Sequence, residues 1–157
     1  MMKLPAAGSP APRFRLDALD GKSYSLAELA ENSPVALVFF KVSCPVCQFT
    51  LPFLERMAAS SSLRVVAISQ DDAKATRAFH ERFGITFLTL LDTAAGGYAV
   101  SNQYGLSSVP TLILVDSSLS VVLAGSGFSK ADLEEAGRRA GIPPFRPGES
   151  VPVHKPG

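Results

Sequence analysis

Three short apolar runs separated by helical patterns constrain this chain more than any other feature. Val35–Phe40 (VALVFF), Arg64–Ser69 (RVVAIS) and residues 85–91 (ITFLTLL) are rich in β-branched and aromatic side chains. They lack a steady polar alternation, so each reads as a strand buried on both faces. Between the first two, Phe49, Phe53 and Met57 recur at four-residue spacing, and Pro52 inside that pattern predicts a kinked helix that ends at the serines of positions 60–62. Between the second and third, Phe79 and Phe83 share a helix face that Asp71 or Asp72 caps and Gly84 stops. Strands alternating with helices predict an α/β core, its parallel strands covered by helices on both faces.

The flanks complete the architecture. Residues 1–12 carry Pro5, Pro10 and Pro12 and read as an extended arm. Residues 13–16 alternate polar and apolar, Asp20-Gly21 is a turn signal, and Ser23-Tyr24-Ser25 returns as the second strand of a hairpin. Ser25 and Glu28 form a capping box that opens a short helix over residues 26–31. A helical stretch over residues 93–104 closes at Gly105, with Gly96-Gly97 predicting an irregular first half. Thr111–Val115 and residues 120–124 lie too close together for a crossover, so they pair antiparallel and make the sheet mixed. Ser129 and Asp132 open a last helix that Gly141 ends. Residues 143–157 hold five of the chain's 12 prolines and read as an extended or loosely docked tail with polyproline character. The expected organisation is an arm over 1–12, one domain over 13–141 and a Pro-rich tail over 142–157.

Charge excludes some partners. Lys and Arg number 15 against 14 Asp and Glu, a net charge of +1 that offers no footprint for nucleic acid or an anionic membrane. No apolar run reaches the roughly 18 residues of a membrane helix, so no membrane span is expected. Only Leu4-Pro5-Ala6-Ala7-Gly8 follows Lys3, too short and Pro-broken for the apolar core of an export signal. The expected compartment is the cytoplasm; the doubled Met1-Met2 leaves the alternative that an export segment was removed and the protein is periplasmic or exported.

Chemistry concentrates at Cys44-Pro45-Val46-Cys47, where a buried strand ends and a helix begins. Unpaired helix N-terminal amides favour a thiolate, and leading thiols of such motifs titrate between about 3.5 and 7.5. The spacing puts Cys47 beside Cys44 on one turn, able to resolve a mixed disulfide. Pro45 suits the first turn, where its missing N–H would be unpaired. The bland alternatives are two structural cysteines or half of a metal site. His80 and His154 make no metal-ligand spacing with the pair, so no metal is expected. His80 shares a helix with Arg77, Glu81 and Arg82 and reads as a solvated-face histidine; His154 lies in the tail.

Further motifs give the pair a context. Val109-Pro110-Thr111 before an apolar strand resembles the cis-proline segment of thioredoxin-fold proteins. Gly8 to Leu16, Asp20-Gly21-Lys22 and Ser25-Leu26 resemble the N-terminal extension of TlpA/ResA-like thioredoxins and the wider AhpC/TSA redoxin group. Leu51-Pro52, Tyr104-Gly105 and the VPTLILVD of positions 109–116 are similar to later segments of that family. The resemblance spans residues 8–141. It implies a thioredoxin-like fold with an N-terminal hairpin extension. It also implies thiol–disulfide exchange, with Cys44 as nucleophile, Cys47 as resolving thiol, Ser43, Pro45 and Val46 completing the motif, and a cis Val109-Pro110 bond beside the pair. In that fold the backbone of the residue before proline, here Val109, pairs with an extended substrate segment. The redox centre is then the cysteine pair itself, with no cofactor. The partners are a disulfide-containing protein or small molecule and an external thiol reductant or oxidant. The chain departs from the family at Ser43, where Trp is usual, and at Val46, where proline is common. Val38 and Thr50 stand where such proteins place a carboxylate that manages the buried thiol's proton, so the motif names no base for Cys47; a water reached past Ser43 or Thr50 is one candidate.

Two other functions compete. A peroxiredoxin-like thiol peroxidase with an antioxidant role needs Thr or Ser three residues before the attacking cysteine and a proline further back; Lys41 and Leu37 stand there. A non-catalytic binding or metal-carrying module would use the pair as a soft-metal clip.

Overall fold

The computed structural model describes residues 3–157; Met1 and Met2 lie outside them. A five-stranded mixed sheet forms the centre. Its strands are β3 (Val35–Phe40), β4 (Arg64–Ser69), β5 (Thr89–Leu91), β6 (Thr111–Val115) and β7 (Val121–Ser126), in the order β5-β4-β3-β6-β7. β3, β4 and β5 run parallel, and β6 and β7 run antiparallel to their neighbours. β1 (Arg15–Asp17) and β2 (Ser23–Ser25) form the N-terminal hairpin, whose Ala18 bridges Leu90 and so covers the β5 edge.

β3 is buried along its whole length because the sheet separates two cores. Ala36, Val38 and Phe40 face one, with Leu51 and Leu54 of α2 (Pro45–Glu55), Phe79 of α3 (Ala73–Phe83) and Leu133 and Ala136 of α5 (Lys130–Ala140). Val35, Leu37 and Phe39 face the other, with Leu26 and Leu29 of α1 (Leu26–Leu29) and Val100 of α4 (Ala99–Gln103). Side chains alternate along a strand, so one six-residue run serves both layers.

Several boundaries differ from expectation. The first strand is Arg15–Asp17 rather than residues 13–16, and α1 stops at Leu29. α2 ends at Glu55, so Met57 lies in the following turns, although it stays fully buried. Residues 85–91 pair with β4 only over Thr89–Leu91. The Ile85 N–H instead closes the end of α3 on His80, and the Thr86 N–H donates to Glu55 Oε1 at 2.7 Å. Residues 93–104 split into a single 3-10 turn over Ala94–Gly96 and α4, divided at Tyr98, whose φ of 51° is left-handed. Asp92 supplies the cap that α4 lacks locally: its carboxylate accepts from the N–H groups of Val100 and Ser101 and from the Ser101 hydroxyl. Residues 142–157 lie against the domain. Phe145 packs on Phe53, and β9 (His154–Lys155) pairs antiparallel with β8 (Phe128–Ser129).

His80 is half-buried rather than solvated. Its Nε2 lies 2.8 Å from Thr89 Oγ1, joining α3 to β5. Burial pushes its imidazole below the ordinary 6.5, so the folded state favours the neutral ring. The unfolded chain binds that proton more readily, so this contribution to stability is complete above about pH 6.5 and is lost as pH falls. Denaturant unfolding at pH 7.5 and 5.5 should show a larger acid loss for the wild type than for His80→Gln; equal losses would contradict the assignment.

Candidate active site

Cys44 is the N-cap of α2, with φ −83° and ψ 114°, and Pro45 occupies the first helical position. The Cys47 N–H donates to Cys44 Sγ at 3.1 Å, so the Cys44 sulfur takes the place that a serine or aspartate oxygen takes at other helix starts. Both cysteines are free thiols; Cys44 is partly exposed and Cys47 is fully buried. The loop between β3 and α2 is held from several sides. Gln48 Nε2 donates to the Val42 carbonyl at 2.9 Å, the Val42 N–H donates to Asp71 Oδ2 at 2.8 Å, and the Cys44 N–H donates to the Lys41 carbonyl.

The loop before β6 closes over this point. The Val109-Pro110 bond is cis, and the Cys44 thiol donates to the Val109 carbonyl at 3.5 Å. The two segments are 65 residues apart in sequence and meet because β6 pairs directly with β3. Beneath them the Gly127 N–H donates to the Pro110 carbonyl at 2.7 Å. The structure therefore brings together Cys44, Cys47, Val109 and Pro110. Ser43 and Pro45 are exposed on the rim, and Val46 is partly buried behind them. Thr111 is turned away: it is fully buried, and its hydroxyl donates to the Ser108 carbonyl at 2.8 Å.

Burial pushes the Cys47 thiol well above the ordinary thiol range, and a hydrogen bond with Cys44 adds to this. The negative charge of Asp71 acts in the same direction. The Thr50 hydroxyl, where related proteins carry a carboxylate, donates to the Val46 carbonyl at 2.7 Å within α2. Asp71 is thus the carboxylate that the site possesses and that motif reading missed. It comes from the β4–α3 loop, two residues after the strand parallel to the cysteine strand; the sequence offers it only as a possible cap of α3, a place that Asp72 takes. His80 sits with Thr89 and His154 in β9, so neither joins the cysteines. Among the described residues, no helix is long and apolar enough to cross a membrane.

The arrangement is matched by known proteins. The sequence profile of the AhpC/TSA family matches residues 7–124. The thiol-disulfide oxidoreductase ResA of Halalkalibacterium halodurans is 30% identical over 79% of this chain and 70% of its own length. Among solved structures, the thioredoxin domain of a thiol-disulfide oxidoreductase from Bacteroides vulgatus superposes with a TM-score of 0.74 at 22% identity, covering 85% of this chain and 96% of that one. A thiol:disulfide interchange protein of the thioredoxin family from Chlorobium tepidum TLS gives 0.67 at 26% identity, over 87% of this chain and 98% of that one. The fold is therefore thioredoxin-like. Since both the family profile and a ResA relative run through the cysteine strand, the helix behind it and the strand after Pro110, the chain belongs to the AhpC/TSA family.

Proposed function

We propose that this chain is a thiol–disulfide oxidoreductase in which Cys44 is the nucleophile and Cys47 the resolving thiol. The observation that carries the assignment is the asymmetry of the pair. Cys44 sits partly exposed at the head of α2 and accepts the Cys47 N–H, whereas Cys47 is sealed behind it. The Cys44 thiolate attacks one sulfur of a substrate disulfide, forming a mixed disulfide and expelling the other sulfur as a thiolate. Cys47 then gives up its proton and attacks Cys44 Sγ. The Cys44–Cys47 disulfide forms, the second substrate thiol leaves, and two electrons have passed from protein to substrate. An external dithiol resets the pair; an external oxidant would drive the same steps backwards. Which direction runs is set by the reduction potential of the Cys44–Cys47 pair against that of its partner. Docking of an extended substrate segment along the Val109 backbone completes the reading.

A glutathione redox titration tests this assignment. One two-electron transition assigned to Cys44 and Cys47 is expected, and two thiols still alkylatable in oxidising buffer would overturn it. The second step carries a pH signature. Burial keeps the Cys47 thiol protonated through neutral pH, so each pH unit raises its thiolate fraction about tenfold. Stopped-flow decay of a preformed Cys44 mixed disulfide should accelerate from pH 7 to 9 without levelling. Asp71→Asn, which removes a repelling charge, should speed decay at any fixed pH in that range. A plateau near pH 7 would mean that Cys47 is not the slow acid.

A further inference from the structure

The segment after α5 reaches the active site. Its root is firmly held: Arg56, at the end of α2, donates to both carboxylate oxygens of Glu149 at 2.7 and 2.9 Å and to the Pro144 carbonyl at 2.8 Å. That pairing draws the Glu149 carboxylate down to about 2, so the clamp persists at any neutral pH. Phe145 adds an edge contact to Phe53, with ring centroids 5.1 Å apart. Its tip is held lightly. β9 offers two residues to β8, the Lys130 N–H donates to the Val153 carbonyl at 3.0 Å, and Lys155 Nζ lies 5.8 Å over the Phe49 ring. His154 and Lys155 are exposed, and Val153 is 79% exposed.

The path of the tip is specific. A Cβ on Gly127 would overlap the Lys155 carbonyl, and one on Gly157 would overlap the Val109 carbonyl oxygen and crowd Pro110 Cδ. Two glycines thus let the tip's backbone lie against the backbone of the proline loop. The Val109 carbonyl it reaches is the one that faces the Cys44 thiol.

We propose that residues 153–157 are an intramolecular strap that occupies the docking edge at Val109 and must swing away before an extended polypeptide disulfide can bind. The inference rests on the Cys44–Cys47 exchange reading. The root stays clamped by Arg56 while the two-residue ladder opens locally. A substrate strand binds only the open fraction of molecules, which raises its apparent Kd by the inverse of that fraction. A small disulfide avoids this competition. It needs no pairing along the Val109 backbone, and the polar cleft of about 250 Å³ that adjoins the loop, lined by Lys41, Gln70, Tyr98, Asn102, Ser108 and Val109, includes no residue of the strap. The strap therefore selects for small disulfides over extended ones.

The test compares the intact chain, a chain ending at Pro152, and Gly157→Val, whose side chain cannot sit on Val109. Each reduced protein is mixed in stopped flow with a ten-residue linear peptide carrying a mixed disulfide, and separately with 2-hydroxyethyl disulfide. Loss of the strap should raise the peptide rate about five- to tenfold and leave the small-disulfide rate within about twofold. Gly157→Val should move in the same direction, and it carries the comparison by itself should the shortened chain unfold. Equal changes on both substrates, no change, or a slower peptide reaction at unchanged melting temperature would each overturn the strap. Failure of the intact protein to reduce either disulfide would instead overturn the exchange reading beneath it.

Discussion

Cys44→Ser abolishes reduction of a protein disulfide, while Cys47→Ser retains attack and accumulates covalent mixed disulfides. The difference follows from position. Cys44 is the thiol that solvent and substrate can reach, and Cys47 has no exposed surface from which to attack anything but Cys44. Non-reducing electrophoresis after mixing with an oxidised protein substrate reads both outcomes directly. The wild type leaves no adduct, Cys47→Ser leaves an adduct that a reductant dissolves, and Cys44→Ser leaves none. An adduct on Cys44→Ser, with none on Cys47→Ser, would exchange the two roles. The serine at position 44 keeps an N-cap acceptor for the Cys47 N–H, so the helix start survives and the loss is chemical rather than structural.

Phe128→Ala costs the fold about 3–5 kcal/mol, the range for truncating a large aromatic in a core that cannot collapse around the gap. Phe128 is fully buried, and its ring lies 5.0 Å from Phe49, 5.9 Å from Phe53 and 6.2 Å from Phe145. It therefore touches α2 and the C-terminal segment at once. A domain of this size is stable by roughly 5–15 kcal/mol, so the variant loses a large part of its margin. Urea unfolding monitored by circular dichroism measures the effect, with Val153→Ala as a surface control expected within about 0.5 kcal/mol of wild type. A Phe128→Ala loss below about 1 kcal/mol would mean that the aromatic cluster relaxes freely.

How far the sequence spoke depended on what each segment packs against. β3, β4 and β6 have the limits their apolar runs predict, because each run is followed at once by a polar residue, Lys41, Gln70 or Asp116. Residues 85–87 looked the same and are not strand. Ile85 and Phe87 are buried, but the backbone there serves the end of α3 and the Glu55 carboxylate, and hydrophobic pattern alone does not distinguish those partners from a ladder. The capping box at Ser25 and Glu28 is complete. At Ser129 only the side chain accepting from Asp132 N–H matches the expectation. In the site, the cysteines and Val109-Pro110 were readable because their chemistry lies in local motifs. Asp71 was not, because it reaches Val42 only through the parallel pairing of two strands. How the extended tail is anchored was not legible for a similar reason. Its prolines signal extension, and an extended chain is loose or fixed according to anchors elsewhere, here Arg56, Phe53 and the β8 stub.

The pairing of β3 with β6 also sets an order of events during synthesis. The cysteine strand leaves the ribosome about 65 residues before the segment that will cover it, an interval of roughly 3–13 s at about 5–20 residues per second. Through that interval α2 has no β6 beside its own strand and Cys47 is not yet shut away. A nascent chain therefore displays both thiols to the surrounding redox buffer before it can discriminate between them. Having only two cysteines limits the damage. Within these 157 residues, the sole internal bridge that an early oxidant can make is Cys44–Cys47, the same one proposed for the exchange reaction.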